Sequence, residues 1–511
     1  MPSTRDRIFV HPDGIGELRT PGGSFPLLMR ATLTRWLERP GLLPAVCALG
    51  PLLLFTPVLG GGFLIWDDNV NLLHNPALWQ PEGAWRWMFT DLESVQRYKP
   101  LNWLLWRLLG DGFGLNPVAF HGVNLLLHAG NSVLLFFVTI AFLDDRAATA
   151  PSWTRRVAAL IGTLGWALHP LRVEPVAWIS GAGYPLATCF GLLAVLAFQR
   201  HLRDERAGWH WTAVGCFLIS LLSYPATASL PALLLVLYLL SRRRASLPRG
   251  MQLREAARRL APYALAAFLL LGLTLTTRLT TSGEVWNRPA DLAEAGLPVR
   301  LSQAFSVWVW YAEKTVLPLH LAPVYVDFRE FSAGGFRGLA SPVILGLIGY
   351  LAWRLRRRWP EAGPLWVAYL ALAVLVLGVT DLPFTPSDRY TYVPALALAL
   401  LCASGVQRAL QASLRTTGVA ALLLLTGLTL ASHRQLAHWA TPRAFFTHAL
   451  ARVGNHPAGV DLHWRLGLHH LMADDPMAAR AEFEEVLRLN PRHEDAARYL
   501  RVLSARAKPS P

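Results

Sequence analysis

Two adjacent carboxylates, Asp67 and Asp68, stand in the stretch Phe63-Leu64-Ile65-Trp66-Asp67-Asp68-Asn69, with Asn75 and Pro76 a few residues further on. They follow directly on the first long apolar run, where a chain leaving a membrane meets water. An acidic pair in that place offers a base or a cation ligand to whatever arrives at the surface. The plainer alternatives are that Asp68 caps the following turn and that both are ordinary solvated loop side chains. A second cluster, His169-Pro170-Leu171-Arg172-Val173-Glu174, could hold a phosphate through Arg172 and His169, with Glu174 orienting the basic group. It could equally be a proline-punctuated helix end with an internal ion pair. In Ser387-Asp388-Arg389-Tyr390-Thr391-Tyr392-Val393-Pro394, the guanidinium of Arg389 suits an anionic headgroup or pyrophosphate; alone, it reads better as a snorkelling anchor among its tyrosines. His121, Asn124 and His128 recur at helical spacing and make one polar stripe inside an apolar span. Histidines on one face suggest a metal, but the sequence places no third ligand, and hydrogen bonding between helices of a bundle is the better reading.

The elements that must position these residues are membrane spans. The chain of 511 residues is 53% hydrophobic and only 16% charged, with long apolar runs and a mean hydropathy of +0.33. That excludes an ordinary soluble protein and implies an all-α, multi-pass membrane protein. The net charge of +15 is carried almost wholly by arginine, since lysine occurs only at Lys99, Lys314 and Lys508. These arginines fall in short clusters between apolar runs, the pattern of membrane topology, so no nucleic-acid partner is expected. Cys47, Cys189, Cys216 and Cys402 lie singly inside apolar runs and read as small core residues.

Residues 1–40 are polar, then basic, and read as a cytoplasmic tail; no convincing cleavage site follows the first span, which is expected to be a retained anchor. Residues 41–432 are expected to hold about eleven crossings. After the first comes a Trp-rich interfacial stretch (Trp79, Trp85, Trp87) and then Arg97-Tyr98-Lys99-Pro100-Leu101-Asn102. If the Asp67/Asp68 loop is outside, the arginine clusters at 155–156, 200–206, 242–259 and 354–358 all fall inside, provided that 301–317 is re-entrant or interfacial, or half of a hairpin with the stretch that follows. The N-terminus is then inside and the C-terminus outside. The acidic loop, the Tyr98-Lys99-Pro100 region, His169 to Glu174 and Asp381 to Tyr390 share the outer face. Residues 433–511 are soluble and helical, and 463–496 match a 34-residue helix-turn-helix repeat through Leu466-Gly467, Ala479, Phe483 and Pro491. One such repeat cannot bury its own core, so it is expected to pack on the membrane domain or on a protein partner.

Taken in order, Phe-x-x-Asp-Asp, Tyr98-Lys99-Pro100-Leu101, Asn116-Pro117 with His121, Asn124 and His128, His169-Pro170 with Glu174, Asp388-Arg389-Tyr390 with Tyr392 and Pro394, and the terminal repeat form a recognisable set. It resembles the transmembrane, TPR-repeat-containing O-mannosyltransferase-like family over about residues 60 to 500. The resemblance implies a GT-C architecture with a TPR-like tail. It implies a glycosyltransferase that moves a sugar from a polyprenyl-phosphate donor to a protein or envelope-glycan hydroxyl, inverting the anomeric centre. On that reading Asp68, or else Asp67, is the base. Lys99, Arg97 and Arg389, with His169 and Arg172, face the donor phosphate, and Glu174, Asp388, Tyr390, His121 and Asn124 support them. No metal site is expected, although a divalent cation is left open as cofactor; the partners are donor, acceptor and membrane lipids. Two departures bear on activity: after Ser180-Gly181 the family usually carries an Arg and an acidic or polar residue where this chain has Ala182-Gly183-Tyr184-Pro185, and after Leu222-Ser223 it has Tyr224-Pro225 where a Lys is common. The rival functions are a catalytically inactive scaffold working through its repeat and a lipid or solute transporter. The arginine bias and the short repeat favour a bacterial inner membrane.

Overall fold

A computed structural model describes residues 37–39, 41–90, 98–146, 149–241, 247–280, 296–328, 331–379 and 386–506. Among these the chain is all-α, with no strand, and it is a multi-pass membrane protein. Helix α1 (Leu42–Phe55) runs into a 3-10 turn and is followed by α2 (Pro76–Trp79), α3 (Ala84–Thr90) and α4 (Pro100–Phe113). Then come α5 (Pro117–Arg146), α6 (Ser152–Ala167), the short α7 (Val173–Ala177), α8 (Gly183–Asp204), α9 (Ala207–Ser223), α10 (Leu230–Leu240) and α11 (Arg249–Thr280). Helices α12 (Leu297–Val316), α13 (Phe336–Leu355), α14 (Ala362–Leu372), α15 (Ala395–Ala412) and α16 (Leu414–Ala437) complete the bundle. The tail is α17 (Pro442–Val453), α18 (Gly459–Met472), α19 (Pro476–Leu489) and α20 (Glu494–Arg506).

Among the described residues seven helical segments are long and apolar enough to cross a membrane (α1 and α8 together with their adjoining 3-10 turns, α5, α11, α13, α15 and α16), and α9, α10 and α14 are apolar but shorter; α6, on which the third expected crossing falls, is in neither group. Helix α12, expected to be re-entrant or interfacial, is not among the seven. The most enclosed span is α8 and the least is α16, so α8 runs through the bundle and α16 lies on its flank. Small residues allow a close approach between α6 and α15: a Cβ on Gly162 would stand 2.7 Å from the Ala399 carbonyl oxygen and 2.8 Å from the Ala403 Cβ. Without a hydrophobic drive between helices in lipid, such backbone proximity is what holds two spans together.

Opposite the acidic loop, the bundle is tied by charge. Glu361 accepts from Arg146 at 3.2 Å and from Arg408 at 2.7 Å, and Arg146 also donates to the Leu240 carbonyl at 2.6 Å. The ends of α5, α10, α14 and α15 thereby meet. At the other end the tail helices pack on the membrane-spanning part: Trp439, Phe445, Phe446, Leu462 and Leu466 share one core with Leu54, Phe55, Val58 and Leu64. Trp464, Phe483 and Tyr499 fill the space between α18, α19 and α20 with ring contacts at 5.2–5.5 Å.

Candidate active site

The acidic loop is a closed turn. The Asp68 carboxylate is fully buried; one oxygen accepts the Leu64 amide at 2.9 Å, and the other accepts the Ser180 amide at 2.9 Å and the Ser180 hydroxyl at 2.5 Å. Burial pushes its pKa up to about 7, against the pull of the bonds from Ser180 and Leu64, with the neighbouring Asp67 adding to the rise. Asp67 is half-buried, and its carboxylate has no hydrogen bond or ion pair to another described residue. A π-helical turn, Asn69–Leu73, follows; such turns are short and frequent at functional sites. Asn71 donates to the Ser180 hydroxyl at 3.2 Å, and Asn75 caps α2 by accepting the Leu78 amide.

The segment from His169 to Ala182 is the bracket on which the other groups hang. His169 accepts the Leu171 amide on Nδ1 at 3.2 Å and donates from Nε2 to the Thr315 carbonyl at 2.9 Å, which assigns a neutral ring. Burial, helped by the Arg172 charge, holds its pKa down to about 3. Arg172 and Glu174 do not pair with each other; both reach the turn Asp388–Thr391. Arg172 donates to the Thr391 hydroxyl at 2.8 Å and lies against the rings of Trp166 and Tyr392, while its Nε and Nη1 are buried with no partner among the described residues. Burial lowers its pKa to about 10, so it stays charged at neutral pH. Glu174 accepts the Arg389 amide at 2.8 Å and pairs with the Arg389 guanidinium.

Arg389 also lies over the Trp178 ring at 5.0 Å and the Tyr390 ring at 4.9 Å. Asp388 is buried beside it and accepts the Tyr325 hydroxyl at 2.6 Å; burial and the Glu174 charge raise its pKa well above the carboxylate range. The polar stripe of α5 bonds between elements, as its spacing suggested. Asn124 donates to the Trp178 carbonyl at 3.0 Å, and His128 sits between the Tyr392 hydroxyl at 2.8 Å and the Ala167 carbonyl at 3.0 Å. His121 is buried against the backbone of Gly61 and Gly62 and has no bond to another helix among the described residues. Lys99 is buried with its ammonium 4.2 Å from the Trp103 ring and 4.7 Å from Trp106. Arg97 lies outside the described residues.

The turn Trp178–Ser180 thus links Asp68, bound to Ser180, with the Arg389–Glu174 pair beside Trp178, at one end of the bundle. The chain is similar to protein O-mannosyl-transferases. It is 32% identical over 215 residues to protein O-mannosyl-transferase TMTC1 of Mus musculus, covering 39% of this chain and 20% of that protein. It is 30% identical over 179 residues to TMTC4 of Homo sapiens, covering 31% and 24%, and 32% identical over 186 residues to Tmtc2 of Drosophila melanogaster, covering 34% and 18%. The matched stretches span about a fifth of the length of these relatives. No family model matches the chain, and no solved structure does.

Ser180, Trp178 and Tyr325 belong to this arrangement, although sequence reasoning assigned them no role. Ser180 and Trp178 lie in an unremarkable run whose only signal is its nearness to the family departures. Those departures meet in space: the Tyr184 and Tyr224 rings are 4.7 Å apart, and Gly183 lies directly under the Tyr224 ring. Among the described residues no group of three or more His, Cys, Asp or Glu side chains is arranged to hold a metal ion.

Proposed function

We propose that this chain is a membrane-embedded glycosyltransferase of GT-C type, akin in activity to the protein O-mannosyl-transferases it is similar to. It moves a hexose from a polyprenyl-phosphate donor to a hydroxyl of a protein or envelope-glycan acceptor. The acceptor oxygen attacks the anomeric carbon, the new C–O bond forms as the sugar–phosphate bond breaks, and the polyprenyl phosphate leaves with the bonding electron pair. The acceptor proton passes to a carboxylate, and the anomeric centre inverts. The reaction takes place on the outer face of a bacterial inner membrane, with the N-terminus inside and the TPR-like tail (433–511) outside.

The observation that carries this reading is the pair of carboxylates with unlike environments at the end of a membrane bundle where distant polar segments converge. A hydroxyl is a poor nucleophile and gains from a carboxylate within hydrogen-bond reach. What supports Asp67 as the base, where the family resemblance favoured Asp68, is that Asp67 is only half-buried and its carboxylate has no hydrogen bond to another described residue, while both Asp68 oxygens are occupied. In this reading Asp68 holds the loop. Lys99, Arg389 and Arg172 are assigned to the donor side, where the leaving phosphate needs such cations to receive its charge; Arg97 is assigned there from the sequence alone, and His169, neutral, would act as a hydrogen-bonding group and not as a cation. Asp388, Tyr390, Glu174, His121 and Asn124 support them.

The test is transfer of radiolabelled hexose from its polyprenyl phosphate to envelope acceptors by membranes at matched expression. Asp67→Asn is expected to lose transfer by about 100-fold or more, in the range of general base catalysis. Transfer that survives in both Asp67→Asn and Asp68→Asn would remove the pair from the mechanism. A wild type inactive with every donor would favour the scaffold reading, to which the uncharged Tyr184–Tyr224 contact lends weight.

A further inference from the structure

The turn that bears the two carboxylates is gripped from outside by the tail. Arg465, on α18, donates from Nη1 to the carbonyls of Ile65 at 3.2 Å and Trp66 at 2.9 Å, the two peptide groups immediately before Asp67. Its guanidinium carbon lies 5.1 Å from the centre of the Trp66 ring. Its Nε is held by both oxygens of Asp461, at 3.0 and 2.9 Å, one helical turn earlier. Two further ring contacts of Trp66 come from the tail as well, Phe445 at 5.8 Å and Phe446 at 6.4 Å.

A planar guanidinium is the group suited to this task, because it can be fixed along one edge by a carboxylate while another nitrogen forks to two carbonyls. From inside, the same turn is closed by the Leu64 amide on Asp68 and by Ser180. Asp67 sits between the two fastenings and takes part in neither. Its own carbonyl accepts the Asn71 amide at 2.8 Å, so movement of the turn is passed to the π-helical turn beyond.

We propose that Arg465 is a positioning residue for the acidic loop, so that the tail completes the reaction centre instead of merely hanging from it. This rests on the function proposed above for its catalytic consequence, but not for the clamp itself. The clamp orients the Asp67 carboxylate toward the acceptor. Losing it leaves the Asp68 bonds and the core shared by Leu64, Phe445 and Leu466 intact.

The experiment uses the full-length protein in nanodiscs, comparing wild type with Arg465→Ala, Arg465→Lys and Asp461→Ala by hydrogen exchange and by steady-state transfer. In Arg465→Ala the amides of residues 66–71 should exchange about tenfold faster or more, with α5 and α8 unchanged. Transfer should fall about 10- to 100-fold in kcat with donor KM unaltered, the signature of a misplaced catalytic group. Arg465→Lys should fall between, since its single nitrogen keeps the charge but cannot occupy the Nε position at Asp461 and the Nη1 position at the two carbonyls at once. Asp461→Ala should shift exchange in the same direction by less. Unchanged exchange of the loop in Arg465→Ala overturns the clamp, and full kcat with a loosened loop overturns its catalytic part. If wild type transfers no sugar, the proposed function fails, and loop exchange alone decides the clamp.

Discussion

Ser180 donates twice to one oxygen of Asp68, through its amide at 2.9 Å and its hydroxyl at 2.5 Å, joining segments 112 residues apart. The bond set is local to neither segment, so it ties the first loop of the bundle to the turn leading into α8. Ser180→Ala keeps the amide bond and removes the hydroxyl. A hydrogen bond to a buried charged group contributes about 1.5–3 kcal/mol. Thermal unfolding in detergent is expected to drop accordingly, and the remaining Asp68 carboxylate should titrate higher still. An unchanged midpoint would mean that the hydroxyl contributes nothing to holding the loop.

The raised Asp68 value makes a pH prediction with a definite sign. Its carboxyl titrates at about 7 when folded, against an ordinary value of 3.8. Between these two values the folded chain keeps a proton that the unfolded chain has lost, so stability falls as pH rises through that window and levels off above about 7. The total lost is on the order of a few kcal/mol. Unfolding midpoints taken from pH 4 to 8 should decline more steeply in wild type than in Asp68→Asn, whose side chain does not titrate. Equal slopes would mean that Asp68 is already ionised when buried.

Much of this architecture is legible in the sequence. In a bilayer every spanning segment must satisfy its own backbone, so the runs from Leu42, Pro117, Ile179 and Ala395 declare themselves by hydropathy alone. The polar stripe of Asn124 and His128 is legible for the same reason, because a polar group inside a span needs a partner on another helix. Pairings are not legible. Glu174 looks like the natural partner of Arg172 two residues earlier, yet the backbone sends Arg172 to Thr391 and Glu174 to Arg389. The burial of Asp68 depends on Ser180, and the grip of Arg465 on Ile65 and Trp66 depends on how the tail docks. No local spacing encodes such long-range contacts.

The Glu174–Arg389 pair is almost wholly enclosed, with 3% and 13% of the two side chains exposed. Removing one partner of a buried pair strands the other charge and costs about 3–5 kcal/mol. Glu174→Ala and Arg389→Ala are each expected to lower the unfolding midpoint strongly. The double variant should lose less than their sum, because it leaves neither charge uncompensated. Additive losses would mean that the two side chains act independently.

Gly183 and Tyr224 are in direct contact beside the Arg389 turn. A methyl on Gly183 would stand 2.6 Å from Cδ2 and 3.0 Å from Cγ of Tyr224, so one of the two must shift. Tyr224 packs on Tyr184 at 4.7 Å, and Tyr184 faces Tyr390 at 6.4 Å, next to Arg389. The glycine and the tyrosine are therefore a matched pair in a wall of rings beside the Arg389 cation. Gly183→Ala is expected to cost about 1–3 kcal/mol through overpacking against Tyr224. Adding Tyr224→Ala should recover most of that loss by opening the space, so the double variant should melt above Gly183→Ala alone. If the wall borders the donor, Gly183→Ala should also raise donor KM through the displaced Tyr184, and Tyr224→Ala should reverse part of the rise. A double variant that melts lower than either single one would mean that Tyr224 supports the bundle independently of Gly183.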